Sequence, residues 1–162
     1  HHGCDIPDRV KGKSLRDIRD GIAAPREQVI YGWFGRAVNV YDGRYTYFRA
    51  PASVENSPLY QYCGMPSTCW RYFDERYAER MEMGRFLPFT RYPVYRIPAM
   101  YPEDYSGNIE LVMQSLLFDL ETDYAQLYPL NDREIEADMC RKLIAGMREA
   151  EAPGEQYRRL GL

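Results

Sequence analysis

Between Val29 and Arg49 apolar and polar residues alternate in three short runs, Val29-Ile-Tyr-Gly-Trp-Phe34, Ala37-Val-Asn-Val-Tyr41 and Tyr45-Thr-Tyr-Phe-Arg49. A period of two over runs this short predicts three strands of an antiparallel meander. Asp42-Gly43 between the last two is a type I′ hairpin signal, which sets Tyr41 opposite Arg44, Val40 opposite Tyr45 and Val38 opposite Tyr47. A preceding turn at Gly35-Arg36 sets Trp33 opposite Val38 and Tyr31 opposite Val40. One face then carries Tyr31, Trp33, Val38, Val40, Tyr45 and Tyr47, large and mostly apolar as a core face should be. The other carries Asn39, Tyr41, Arg44 and Thr46 beside Ile30, Phe34 and Phe48, a mixture expected of a face that another domain covers.

Helical periodicity is clearest from Asp132 to Ala150. Ile135, Met139, Leu143 and Met147 recur every fourth residue, Asn131 is placed to cap the helix with Glu134 at its third position, and the stripe is expected to pack on the sheet rather than bind a ligand. Gly146 weakens this helix and Pro153 ends it. Ser14 to Asp20, closed by Gly21, reads as a short helix with Ser14 near the N-cap and Asp17 three residues on. Asp74 to Met83, ended by Gly84, reads as another. Strands near Val94 to Ile97 and Ser115 to Leu120 are expected to extend the meander. Ala50 to Trp70 and Arg85 to Ser106, rich in proline and aromatics, read as ordered loops interrupted by short strands. The fold class is therefore α+β: a small antiparallel sheet with the C-terminal amphipathic helix packed on one face, in a single domain over residues 1–162.

Composition narrows the partners. The 162 residues carry a net charge of -3 with both signs interspersed, so no nucleic-acid footprint and no patch for an anionic membrane stands out. No apolar run approaches the ~20 residues of a membrane span. Partners are expected to be proteins or small molecules. The four cysteines, Cys4, Cys63, Cys69 and Cys140, show no C-x-x-C spacing; they read as ordinary thiols, with a Cys63–Cys69 pairing left open. Both histidines, His1 and His2, stand at the extreme N-terminus and give no basis for a histidine metal site or triad. The 15 tyrosines suit half-buried strand positions better than a dedicated sugar-stacking surface.

Several segments resemble, in order, the C-terminal subdomain of the formylglycine-dependent sulfatases. Cys4-Asp-Ile-Pro-Asp-Arg-Val-Lys-Gly-Lys-Ser-Leu15 is similar to the connector by which those enzymes leave the catalytic domain, so that residues 1–27 correspond to it. Val29 to Pro51 resembles the family's strand pair, Pro58-Leu-Tyr-Gln-Tyr62 with Met65-Pro66 its P-L-Y-E-Y-T-L-M-P-T-H-M stretch, and Leu117-Phe-Asp-Leu-Glu-Thr-Asp123 its L-Y-D-L-E-T-D turn. The tail from Ala152 to Leu162 looks like a family C-terminus. Two departures matter: Tyr41 replaces a Thr, and Ser67-Thr68-Cys69 replaces Thr-His-Met, which removes an imidazole.

The resemblance implies a non-catalytic portion that buttresses a sulfatase catalytic domain and shapes its substrate pocket. The formylglycine and the divalent cation, calcium by family precedent, would belong to that absent domain, and a sulfated small molecule or glycan would be met through it. The family's C-x-P-x-R signature has two imitations here. Cys4-Asp-Ile-Pro7 and Cys63-Gly-Met-Pro66 both place Pro three residues after Cys instead of two, so neither is read as a nucleophile, and no catalytic residue or metal ligand is assigned. By the same resemblance the substrate-rim candidates are Trp33, Arg36, Met65, Pro66, Ser67 and Thr68, with Arg36 able to face a sulfate or carboxylate through its planar fork. Two other readings stay open: a free-standing glycan- or protein-binding module derived from such a tail, and the tail of a related phosphonate or phosphodiester hydrolase.

Overall fold

The computed structural model describes residues 7, 10–67, 72–99 and 113–162. In chain order these residues form helix α1 (Leu15–Arg19), strands β1 (Val29–Gly32), β2 (Val38–Tyr41), β3 (Tyr45–Arg49) and β4 (Tyr60–Cys63), and a 3-10 helix (Glu75–Arg80). Strands β5 (Glu82–Gly84), β6 (Val94–Pro98) and β7 (Leu116–Asp119) and helices α2 (Arg133–Glu149) and α3 (Gly154–Leu160) follow. The first sheet has the order β1-β2-β3-β7 and the second β4-β6-β5, every pairing antiparallel. The expected α+β class with a small antiparallel sheet and C-terminal helices is what the chain adopts.

The core lies between the first sheet and the helices. Val40 and Tyr47 from the sheet meet Leu117, the Met139, Leu143 and Met147 stripe of α2, and Leu160 of α3. Each such fully buried side chain contributes roughly 1.5–3 kcal/mol. Asp132, one residue after the expected cap, closes the N-terminus of α2 by accepting the amides of Glu134 and Ile135 at 3.0 Å each. Asn131 is not the cap: Asp132 is the residue with extended backbone, and its carboxylate reaches both orphan donors. Gly146 has a packing role, because a Cβ there would lie 2.6 Å from Cγ2 of Ile30. The glycine that weakens the helix locally thus lets it approach β1. In α1, Ser14 Oγ accepts the Asp17 amide at 3.3 Å, the cap the sequence indicates.

The meander exists, but its registers differ from the expected ones. Asp42 accepts the amides of Arg44 and Tyr45 through Oδ1 at 3.0 and 2.8 Å while its own N–H bonds the Tyr45 carbonyl. This Asx arrangement, with Gly43 at φ +105°, centres the turn on Gly43-Arg44 rather than Asp42-Gly43. Val40 therefore faces Tyr47, and Val38 faces Arg49. The slip preserves parity, so Val38, Val40, Tyr45 and Tyr47 stay on the core side.

The slip between β1 and β2 does not preserve parity. Ile30 pairs with Val40 and Tyr31 with Asn39, which turns every β1 side chain to the face opposite the expected one. Ile30 enters the core, Tyr31 leaves it to share a 2.6 Å hydrogen bond with Thr46, and Trp33 lies in the loop beyond the strand. The cause is the odd-length loop 33–37: a Cβ at Gly32 would sit 2.8 Å from the Ala37 carbonyl, so the glycine allows a tight closure that the Gly35-Arg36 turn did not anticipate.

On the second face of the sheet the small polar side chains are buried among aromatic rings, while Tyr31 stays exposed. Thr46 is 1% and Asn39 7% exposed, and Phe48 stacks edge-on between Tyr31 and Phe118 at 6.2 and 5.9 Å. Strand β7, the neighbour of β3, adds Phe118 to this face opposite Thr46.

Further corrections concern the middle of the chain. Asp74 to Met83 forms only the 3-10 helix, capped by Asp74, before Met81 turns extended and β5 pairs with β6. Tertiary pairing, with the Glu82–Arg96 ion pair at 2.7 Å, overrides the helical composition there. Strand β6 does not extend the meander, since β4 and β5 occupy both of its edges. Helix α3 was not anticipated at all.

Candidate functional site

The six rim candidates fall on two loops of different sheets. Trp33 and Arg36 stand in the β1–β2 loop, closed by the Arg36 amide on the Trp33 carbonyl at 3.0 Å, and the Trp33 ring is 73% exposed. Met65, Pro66 and Ser67 follow β4: Met65 is exposed, the Ser67 amide bonds the Met65 carbonyl at 2.7 Å, and the Pro66 carbonyl accepts the Phe73 amide at 3.0 Å. Thr68 lies outside the described residues.

Helix α3 ties the β1–β2 loop to strand β4. Arg159, only 2% exposed, donates through Nη1 and Nη2 to the Arg36 carbonyl at 3.1 Å each, through Nη1 to Asn56 Oδ1 at 2.9 Å, and through Nε to Gln156 at 2.9 Å. Asn56 in turn donates to the Gly35 carbonyl at 2.7 Å. Burial pushes the Arg159 guanidinium down to about 10, so it remains a cation at neutral pH. One turn earlier on the same helix face, buried Glu155 accepts the Tyr62 hydroxyl of β4. Burial, followed by this carboxylate, raises the Tyr62 phenol well above its usual range.

Between the β1–β2 loop and α3 lies a cleft of about 280 Å³ lined by Tyr31, Trp33, Phe34, Gln156 and Arg159, among others. It offers aromatic faces and the Gln156 amide, while the Arg159 guanidinium behind it is committed to the Arg36 carbonyl, Asn56 and Gln156. That is the chemistry of binding by stacking and hydrogen bonding. Gln156 and Arg159, like Asn56 and Glu155, were missed in the sequence. The signal was there: Pro153 stands just before and Gly161 just after a helix-length run, and Gly161 adopts the left-handed conformation of a C-cap.

The cysteine imitation on β4 lies in surroundings that disfavour its thiolate. Cys63 and Cys140 carry free thiols, and burial pushes the Cys63 thiol up against the opposing pull of the Ser67 and Met65 amides. Cys4 and Cys69 lie outside the described residues. Among the described residues no three His, Cys, Asp or Glu side chains gather to hold a metal ion, and no helix is long and apolar enough to cross a membrane.

The β2–β3 hairpin and the Leu117–Asp123 segment meet in space. Arg44 of the hairpin pairs with Asp119 of Leu117-Phe-Asp-Leu-Glu-Thr-Asp123 at 2.6 Å, and Asp119 also accepts the Glu121 amide at 3.0 Å. The hydrogen bond from Arg44 holds the Asp119 carboxyl below its ordinary value against the effect of burial. Compared with protein-family models, curated proteins and solved structures, the chain matches none.

Proposed function

We propose that this chain is the C-terminal, non-catalytic portion of a formylglycine-dependent sulfatase, buttressing the catalytic domain and contributing to the rim of its substrate pocket. The observation that carries the reading is the Arg44–Asp119 pair, which joins the hairpin motif to the L-x-D-L-E-T-D motif 75 residues on. Segments that resemble one family in order also form one structural unit. The β1–β2 loop, held by α3, and the loop after β4 would supply the rim, with Trp33 presenting a ring and Met65 a flexible apolar side chain. Formylglycine and the divalent cation would lie in the catalytic domain.

The test is the intact mass of the native gene product, captured from its source cells with an antibody against this segment. A product heavier than 19.1 kDa that yields a formylglycine peptide upstream is the expected result. A product of that size overturns the reading. It would favour a free-standing module that binds a glycan or a protein in the Trp33 cleft, a second reading supported by the exposure of that ring. A heavy product with a different upstream nucleophile would point to a phosphonate or phosphodiester hydrolase.

A further inference from the structure

Residues 10–28, which contain α1, are closed on themselves. The amides of Ile18, Asp20, Ile22 and Ala23 bond carbonyls within the segment, Lys13 Nζ donates to the Ala24 carbonyl at 2.9 Å, and Arg26 Nη2 donates back to the Lys11 carbonyl. None of the residues from Val10 to Gln28 is buried, and Leu15 and Ile22 are 83% and 77% exposed. Among the described residues, two ion pairs tie this segment to the rest: Arg26 to Glu149 at 3.3 Å, at the end of α2, and Lys11 to Glu151 at 3.9 Å, two residues beyond. All four side chains are between 37% and 56% exposed. The junction itself is loosely filled, with clefts of about 260 and 240 Å³ along it, both lined by Arg26, Gln28 and Glu149.

We propose that residues 10–28 are a strap clasped by charge across the C-terminal end of α2, which lifts off when salt screens that charge. The two anions stand at the negative end of the helix dipole, which adds to their hold on the strap's cations. Burial of Met139, Leu143 and Met147 fixes α2 to the sheet, and ionic strength does not weaken it. Attraction between exposed charges is small and falls as screening shortens its range. Salt therefore separates the two attachments, loosening the strap while the core holds. The pivot is Gln28, since pairing of β1 with β2 begins at Val29. Closed, Lys11 and Arg26 wall the cleft that also holds Ile30 and Gly146, the residues through which β1 meets α2. Open, the strap leaves that seam to solvent. The inference goes beyond the sulfatase reading and does not depend on it.

Nitrogen-15 relaxation on the 162-residue chain tests this. At low salt the amides of residues 14–23 should share the order parameters of α2, about 0.85. In about 1 M NaCl, where the Debye length is about 3 Å, those of 14–23 should fall below about 0.6 while α2 is unchanged. Lys11→Glu combined with Arg26→Glu should open the strap at low salt, and adding Glu149→Lys with Glu151→Lys should close it again. All four positions are exposed, so the core folds in each variant, and the salt series on the unaltered chain needs no variant. A strap as rigid as α2 at every salt concentration, one already mobile at low salt, or a full charge exchange that fails to restore rigidity would each overturn the proposal.

Discussion

Arg159 and Asn56, 103 residues apart in sequence, share a buried hydrogen bond of 2.9 Å and together hold the carbonyls of the β1–β2 loop. Carbonyl and side-chain amide oxygens are the acceptors of the Arg159 guanidinium's hydrogen bonds. Such a guanidinium orders the backbone it touches, since leaving buried acceptors without a donor is costly.

Arg159→Leu should therefore lower stability by roughly 2–4 kcal/mol and release the loop. Arg159→Lys should recover only part of the loss, because an ammonium cannot fork across the same acceptors. Denaturant midpoints report the first effect and amide exchange in residues 33–37 the second.

Gly146→Ala tests whether local propensity or packing governs α2. In an open helix the change would stabilise by roughly 0.5–1 kcal/mol. Here the new methyl meets Ile30 Cγ2 at 2.6 Å, and a net loss of about 1–3 kcal/mol is expected. In an Ile30→Ala background the same substitution should cost less, a coupling that a double-mutant cycle in urea would measure.

Tyr62→Phe removes the hydroxyl that β4 donates to buried Glu155. Stability should fall by roughly 1–3 kcal/mol, and protection of the second sheet should fall more than that of the first, since this bond joins β4 to α3. Glu155→Gln, which keeps an acceptor, should cost less. Residue-resolved hydrogen exchange distinguishes these outcomes.

Stability should be flat near neutrality and decline on both sides. Burial would raise the Asp42 carboxyl, but Lys142 and the Arg44 and Tyr45 amides outweigh it and hold the group below its ordinary value; Asp138 is held down chiefly by Lys142. Their contribution is complete above the unfolded aspartate value of about 3.9 and is lost as pH falls through the depressed folded values. Lys142 is raised by Asp138 and Asp42, so its contribution is complete below about 10.4 and is lost as pH rises through the raised value. Urea midpoints against pH for Lys142→Met should show a smaller acid decline and a reduced alkaline one.

Strand existence was legible because alternation is local. β2, β3 and β7 and the stripe of α2 stand where the period of two or of four residues puts them. Pairing was not legible to the same degree. The β1–β2 register turned on a five-residue loop closed through Gly32, and the hairpin on Asp42 bonding two amides, both contacts that a dipeptide rule does not contain. The rim residues Trp33 and Arg36 were named from resemblance, yet the groups that fix their loop, Asn56, Gln156 and Arg159, were missed. Their partners are backbone carbonyls elsewhere in the chain, which leave no pattern in sequence.

By itself, the sequence determined the class, the meander, the amphipathic C-terminal helix and the Ser14 cap, since each follows from residue types within a few positions of one another. Tertiary structure alone decided which face of β1 is buried, the assignment of β6 to a second sheet, the 3-10 form of Glu75–Arg80 and the joining of the β1–β2 loop to β4 by α3. The physical reason is that these outcomes depend on which distant groups satisfy a backbone amide, a carbonyl or a buried charge, and that is settled only when the elements pack.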